Sequence, residues 1–160
     1  MKKIFYILTI FLFKFNIAYS LIEVDITRGN LDPLPIAVSP LHVDLQSDNY
    51  QDVKIKELGE LISSVVEKNF RSTGLFNPLN KDAFVQKPDI AHLKPRFEDW
   101  SLITAQALVT GKLLIKDEKL KIEFRLWDVA ANKEMIALAF TTTPSNWRRV
   151  AHIISDKIYE

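Results

Sequence analysis

The stretch Leu58 to Asn80, LGELISSVVEKNFRSTGLFNPLN, constrains this chain more than any other. Leu58, Leu61, Ile62, Val65, Val66 and Phe70 recur at three-and-four spacing, and Ile55 extends the same stripe one turn upstream. That period belongs to an amphipathic helix whose apolar face must be covered. Glu57 and Glu60 lie toward its start and Lys68 and Arg71 toward its end, the sense favoured by the helix dipole. Gly74 supplies the left-handed residue that closes a helix, and Leu75 and Phe76 are placed to fold back onto the last turn. Each buried side chain of the stripe contributes about 1.5–3 kcal/mol before chain entropy is subtracted. A sheet is the natural cover.

The sheet is legible downstream. Leu120, Ile122, Phe124 and Leu126 alternate with Lys121, Glu123 and Arg125, a half-buried strand. ALVTGKLLI precedes it and EMIALAFTT follows, with Asp117-Glu118 and Ala130-Ala131-Asn132 as turns between, so the three form an antiparallel meander. Ile36-Ala37-Val38 reads as a short buried strand ended by Pro40, His42 to Asp52 as a polar loop, and Phe76–Leu79 as a short extended segment. Lys81–Pro95 reads as loop with room for one turn, and Phe97, Trp100 and Ile103 as one face of a short helix. Ser145 is placed to cap a final helix with Trp147, Val150, Ala151, Ile154 and Ile158 as its buried stripe. The fold class is therefore α/β: a mixed sheet of about five strands with two main helices packed on it.

The first twenty residues have the three parts of a secretory signal: Lys2 and Lys3, an apolar run Ile4–Phe13, and Ala18-Tyr19-Ser20 at the cleavage end. A transmembrane anchor is the alternative, but the run is about half the length that crosses a bilayer. Beyond it, Ile22, Val24 and Ile26 alternate with Glu23, Asp25 and Thr27, a strand with one apolar face, and Gly29 and Pro33-Leu34-Pro35 separate it from the body. Such a strand either joins the edge of the domain's own sheet or pairs with another polypeptide. The division is 1–20 leader, 21–34 strand and linker, and 35–160 α/β domain.

Several function classes are disfavoured. With 21 basic against 20 acidic residues, no electrostatic case exists for nucleic acid. No cysteine is present, which removes disulfides, thiol catalysis and cysteine-ligated zinc. His42, His92 and His152 are scattered, without metal-binding spacing to a carboxylate, and His152 reads as a hydrogen-bonded structural residue. Four glycines, at 29, 59, 74 and 111, build no phosphate loop, and Thr110-Gly111-Lys112 lies inside a strand. Ser63, Ser64 and Ser101 lack a nucleophile's context. No catalytic, metal or cofactor site is assigned.

A helix running into FRSTGLFNPL, the segment ITRG with PLPIAV, Val109 and Gly111 with Leu126 and Asp128, and the helix RRVAHIISDKIYE together resemble the TolB N-terminal domain of the Tol–Pal envelope system. The resemblance spans essentially the whole chain after residue 20. It implies a periplasmic, non-catalytic interaction module, likened in architecture to anticodon-binding domains, that supports outer-membrane integrity and constriction during division. It also implies that the N-terminal strand binds TolA, alternating between that partner and docking on its own protein; by position its residues here are Ile22, Glu23, Val24, Asp25 and Ile26. This sequence departs from the family in opening LIEV, and backbone pairing tolerates such variation. TolB proteins continue into a six-bladed propeller that binds Pal. No propeller-period repeat occurs here, and Glu160 falls while the helix still runs, so a fragment or truncated reading frame is expected, with Pal binding dependent on a propeller. No stable membrane insertion is expected after leader removal. A secreted ligand-binding or enzymatic domain and, by fold analogy, a nucleic-acid-binding module are the alternatives. The first test is mass: protein recovered from its host should start at Leu21, and retention of Met1–Ser20 would defeat the export reading.

Overall fold

The computed structural model describes residues 32–44, 55 and 57–160. The longest ladder in it is the meander. β4 (Ala107–Lys116), β5 (Lys119–Asp128) and β6 (Lys133–Thr142) are ten residues each and antiparallel. Asp117 and Glu118 both take positive φ, 50° and 59°, the mirror-image turn whose twist suits a two-residue hairpin. At the second turn Asn132 sits at φ 53° and the Ala131 N–H donates to Asp128 Oδ1 at 2.8 Å. Both turns fall where the sequence places them.

The other side of β4 is covered by parallel pieces. β1 (Leu34–Val38) lies against Ala107–Val109, and β2 (His42–Asp44) lies farther along, against Lys112–Leu114. Pro40 has no N–H to give the ladder, so the chain leaves β4 after the Ser39 N–H donates to the Val109 carbonyl and rejoins it at His42. β3 (Phe76–Pro78) pairs with β1, also parallel. The sheet thus has six strands in the order β3-β1-β4-β5-β6, with β2 also on β4. The strand beyond the expected five is β2. Its residues lie in the polar stretch read as loop, because backbone pairing to β4 overrides a composition in which only Val43 is apolar.

α1 (Leu58–Thr73) and α4 (Trp147–Tyr159) pack together on one face of the sheet. Ile62, Val66 and Phe70 from α1 and Val150, Ala151 and Ile154 from α4 meet Val109, Leu113, Leu120, Ile122 and Phe124 in one buried core. On the other face α3 (Phe97–Leu102) drives Trp100 against Ala37 and Leu108, a smaller second core. The segment read as loop with one turn holds a 3-10 turn, Lys81–Ala83, and the four-residue α2 (Pro88–Ala91).

Two side-chain expectations are corrected. Leu61 is 41% exposed, while Gly59 and Ser63 are buried, so α1 is rotated from the face its leucines suggest. The reason is the approach of Leu41, whose N–H donates to the Gly59 carbonyl at 3.3 Å; a Cβ on Gly59 would overlap the Leu41 carbonyl. Ser145 does not cap α4. It sits in a 3-10 turn, Pro144–Asn146, with its Oγ 3.0 Å from Thr143 Oγ1, and Asn146 holds the cap position without a side-chain bond. Gly74 closes α1 at φ 71° as expected, with open space around it.

These glycines should behave differently. Gly59→Ala must move backbone and should cost about 3 kcal/mol or more, within the range of overpacked cores. Gly74→Ala should cost about 1 kcal/mol, the penalty of a left-handed non-glycine residue. Urea midpoints of the two variants measure the contrast, and similar losses would refute the close approach.

Candidate partner-binding surface

The residues assigned to partner binding, Ile22, Glu23, Val24, Asp25 and Ile26, lie outside the described residues. What the structure does give is the segment from Asp32 onward. Asp32 and Pro33 are exposed, and at the next residue the chain enters β1 between β3 and β4. Leu34 is fixed there by its N–H donating to the Leu75 carbonyl at 2.8 Å, and the Pro35 carbonyl accepts from the Gln106 N–H at 2.9 Å. β1 is thus an interior strand held on both sides.

Around that anchor the polar side chains are mostly committed to one another. Lys81 Nζ reaches back to α1, pairing with Glu60, with Glu67 Oε1 at 3.0 Å and with Ser63 Oγ at 2.9 Å. It fastens the segment after β3 to the helix. Between the helices, Asn69 Nδ2 donates to His152 Nδ1 at 3.0 Å and to Ser155 Oγ at 2.9 Å, and Ser155 Oγ donates to the Ala151 carbonyl. His152 is therefore the hydrogen-bonded structural residue that its place beside the apolar stripe suggested, and it joins α1 to α4. Gln86, buried without an apolar reason, accepts from the Trp100 indole N–H at 3.0 Å and from the Arg96 N–H at 2.9 Å, anchoring the loop before α3. Periodicity could not have found Gln86, because its role is set by partners ten and fourteen residues away.

The face of the sheet opposite α1 and α4 carries a charge lattice next to the end of α2. Lys112, Glu123 and Arg125 line a cavity of about 250 Å³ together with His92, Leu93 and Gly111. His92 stacks on His42 with ring centroids 4.6 Å apart. Arg125 Nε pairs with Glu134 at 3.2 Å, and its Nη1 donates to the His92 carbonyl. Glu123 accepts from Lys121 at 2.7 Å and faces Lys112 at 3.7 Å. The Lys121 hydrogen bond lowers its pKa below the ordinary 4.5; burial opposes this, and the charges of Lys112, Lys121 and Arg125 add to it. Each of these cations thus faces a carboxylate, Lys112 and Lys121 facing Glu123 and Arg125 facing Glu134. Among the described residues no three His, Cys, Asp or Glu side chains converge on a possible metal position. Nor is any of their helices long and apolar enough to cross a membrane.

Comparison with known proteins fits this picture. The profile of the TolB amino-terminal domain matches residues 22–135. The Tol-Pal system protein TolB of Pelagibacter ubique (strain HTCC1062) is 68% identical over 145 residues, a match covering 89% of this chain and 32% of that protein. The chain therefore spans about a third of the length of this curated relative. Among solved structures, TolB from Acinetobacter baumannii superposes with a TM-score of 0.60 at 20% identity, covering 79% of this chain and 27% of that one. Lipoprotein GNA1162 from Neisseria meningitidis shares the fold with a TM-score of 0.53 at 12% identity, covering 80% of this chain and 98% of that one.

The Glu123 lattice gives a pH test. A carboxylate whose folded pKa is depressed contributes stability that is full above its unfolded value and is lost as pH falls through the folded one. Glu123→Gln should cost about 0.5 kcal/mol or less at neutral pH, the scale of a partly exposed pair. The cost should begin to shrink as pH falls below the ordinary 4.5 and vanish once pH lies below the lowered folded value. Urea midpoints at neutral and acid pH follow it, and a difference independent of pH would contradict the charge origin.

Proposed function

We propose a function from one premise: this chain belongs to the TolB amino-terminal domain family. It acts as a non-catalytic interaction module of the Tol–Pal system in the periplasm, binding TolA through its N-terminal strand and so supporting outer-membrane integrity and constriction during division. The observation that supports this reading is the start of the family match at Ile22, so that residues 22–26 belong to the matched span along with most of the domain. The expected leader over residues 1–20 supports export. Pal binding, in this reading, belongs to a propeller and is not a property of residues 35–160.

The mechanism follows from the tether. A strand with alternating Ile22, Val24 and Ile26 offers main-chain donors and acceptors on both edges and an apolar face, which suffices for addition to a partner's sheet. The Gly29-to-Pro33 connector lets it turn away from β1, while β1 itself stays held by β3 and β4. The body's task is to hold one end of the arm still.

The test is titration of the TolA C-terminal domain with the chain, with and without residues 21–32. Binding should fall below detection without them, and equal binding by both forms would remove the arm from the mechanism.

A further inference from the structure

The charge lattice on the face of the sheet opposite α1 and α4 does not close on itself. Three cations, Lys112, Lys121 and Arg125, share two carboxylates, Glu123 and Glu134, so one positive charge is left over within it. Lys121 takes Glu123 Oε1 at 2.7 Å, and Arg125 takes Glu134 at 3.2 Å. Lys112 Nζ stands 3.7 Å from Glu123 Oε2, beyond hydrogen-bond distance. Among the described residues, then, an ammonium with its donors unspent faces a carboxylate oxygen without bonding to it. Both residues line the cavity of about 250 Å³, and Gly111 adds a length of backbone with no side chain to fill it. Leu93, 68% exposed, gives the same lining an apolar side chain. Arg125 Nη1 donates to the His92 carbonyl at 3.2 Å, which ties the residue before Leu93 to β5.

We propose that this cavity binds a small α-amino acid unit, its carboxylate on Lys112, its N–H on Glu123 Oε2 and its side chain against Leu93. In such a unit the nitrogen and the carboxyl group leave one carbon, so donor and acceptor lie side by side, as the acceptor and donor do here. A plain anion would satisfy Lys112 and turn a like charge toward Glu123. The paired ligand satisfies both, through charge-assisted hydrogen bonds. The volume lies below the roughly 300–1,000 Å³ of pockets for drug-sized ligands, which limits the occupant to a small residue. A free amino acid supplies the N–H as an ammonium, and the C-terminus of a peptide supplies it as an amide. This inference is independent of the N-terminal strand and of TolA.

NMR amide shifts of the purified chain, titrated with alanine and separately with N-acetylalanine, read the site residue by residue. At least one of the two should give saturable shifts at Leu93, Gly111, Lys112 and Glu123. Tighter binding of N-acetylalanine assigns a peptide C-terminus, and tighter binding of alanine a free amino acid. Acetate, which lacks the N–H, and N-acetylalaninamide, which lacks the carboxylate, should each bind at least about tenfold more weakly, the scale of one hydrogen bond to a charged group. The Lys112 side chain is 40% exposed, so Lys112→Met should keep the fold, checked by its urea midpoint, and should abolish saturation. Leu93→Ala, at a more exposed position, should weaken binding severalfold. No saturation with either ligand, shifts gathered elsewhere, acetate as tight as the better ligand, or full affinity in either folded variant would overturn the inference. Deletion of residues 21–32 should leave the affinity unchanged; a changed affinity would bring that segment into the site and also overturn it.

Discussion

The constraint on which the domain depends is that β4 must satisfy its backbone on both sides. An interior strand has no solvent to fall back on, and each unpaired N–H or carbonyl would carry a desolvation cost. β5 meets this requirement along all ten residues on one side. On the other side no single strand is long enough, and β1 and β2 divide the work around Pro40. That division fixes Leu41 in the gap, and Leu41 in turn presses its backbone onto Gly59. The orientation of α1 is thus tied to Pro40, nineteen residues before Gly59. α4 then has only one place left, beside α1 and over β5 and β6, where Val150, Ala151 and Ile154 complete the core.

What the sequence revealed and what it hid follow from this. The meander was readable because its pattern is local: ten-residue strands with alternating burial, joined by turns at Asp117-Glu118 and Asn132 that need positive φ. The helices were readable as existing and apolar on one side. The exact face of α1 was not, because a helix with Leu58, Leu61, Ile62 and Val65 offers several faces and only contact with Leu41 selects one. β2 was hidden for the same reason, since three residues with one apolar member carry no period. Lys81 and Gln86 were hidden too: a lysine in a loop and a glutamine near prolines look solvated until α1 and Trp100 arrive beside them. As for the candidate site, the strand Ile22–Ile26 was visible only as alternation, and its placement lies outside the described residues.

The body has features of a mount. Some of its polar side chains are spent internally: Lys81 on α1, Asn69 on α4, Arg125 on Glu134 and Glu123 on Lys121. Recognition by main-chain pairing asks little of such a body, because affinity comes from backbone groups and the side chains only select register. The proposed arm therefore needs no built pocket on the body.

Strand pairing also explains why the two sides of the sheet are treated so differently. β3 ends its side in three residues that include Pro78, whose nitrogen cannot donate, so that edge offers little to another strand. β6 ends the other with seven regular residues and no gatekeeper within them. By the same physics the outer edge of β6, with no proline, glycine or charge between Met135 and Phe140, is the side of this sheet that offers the more regular backbone to a further strand.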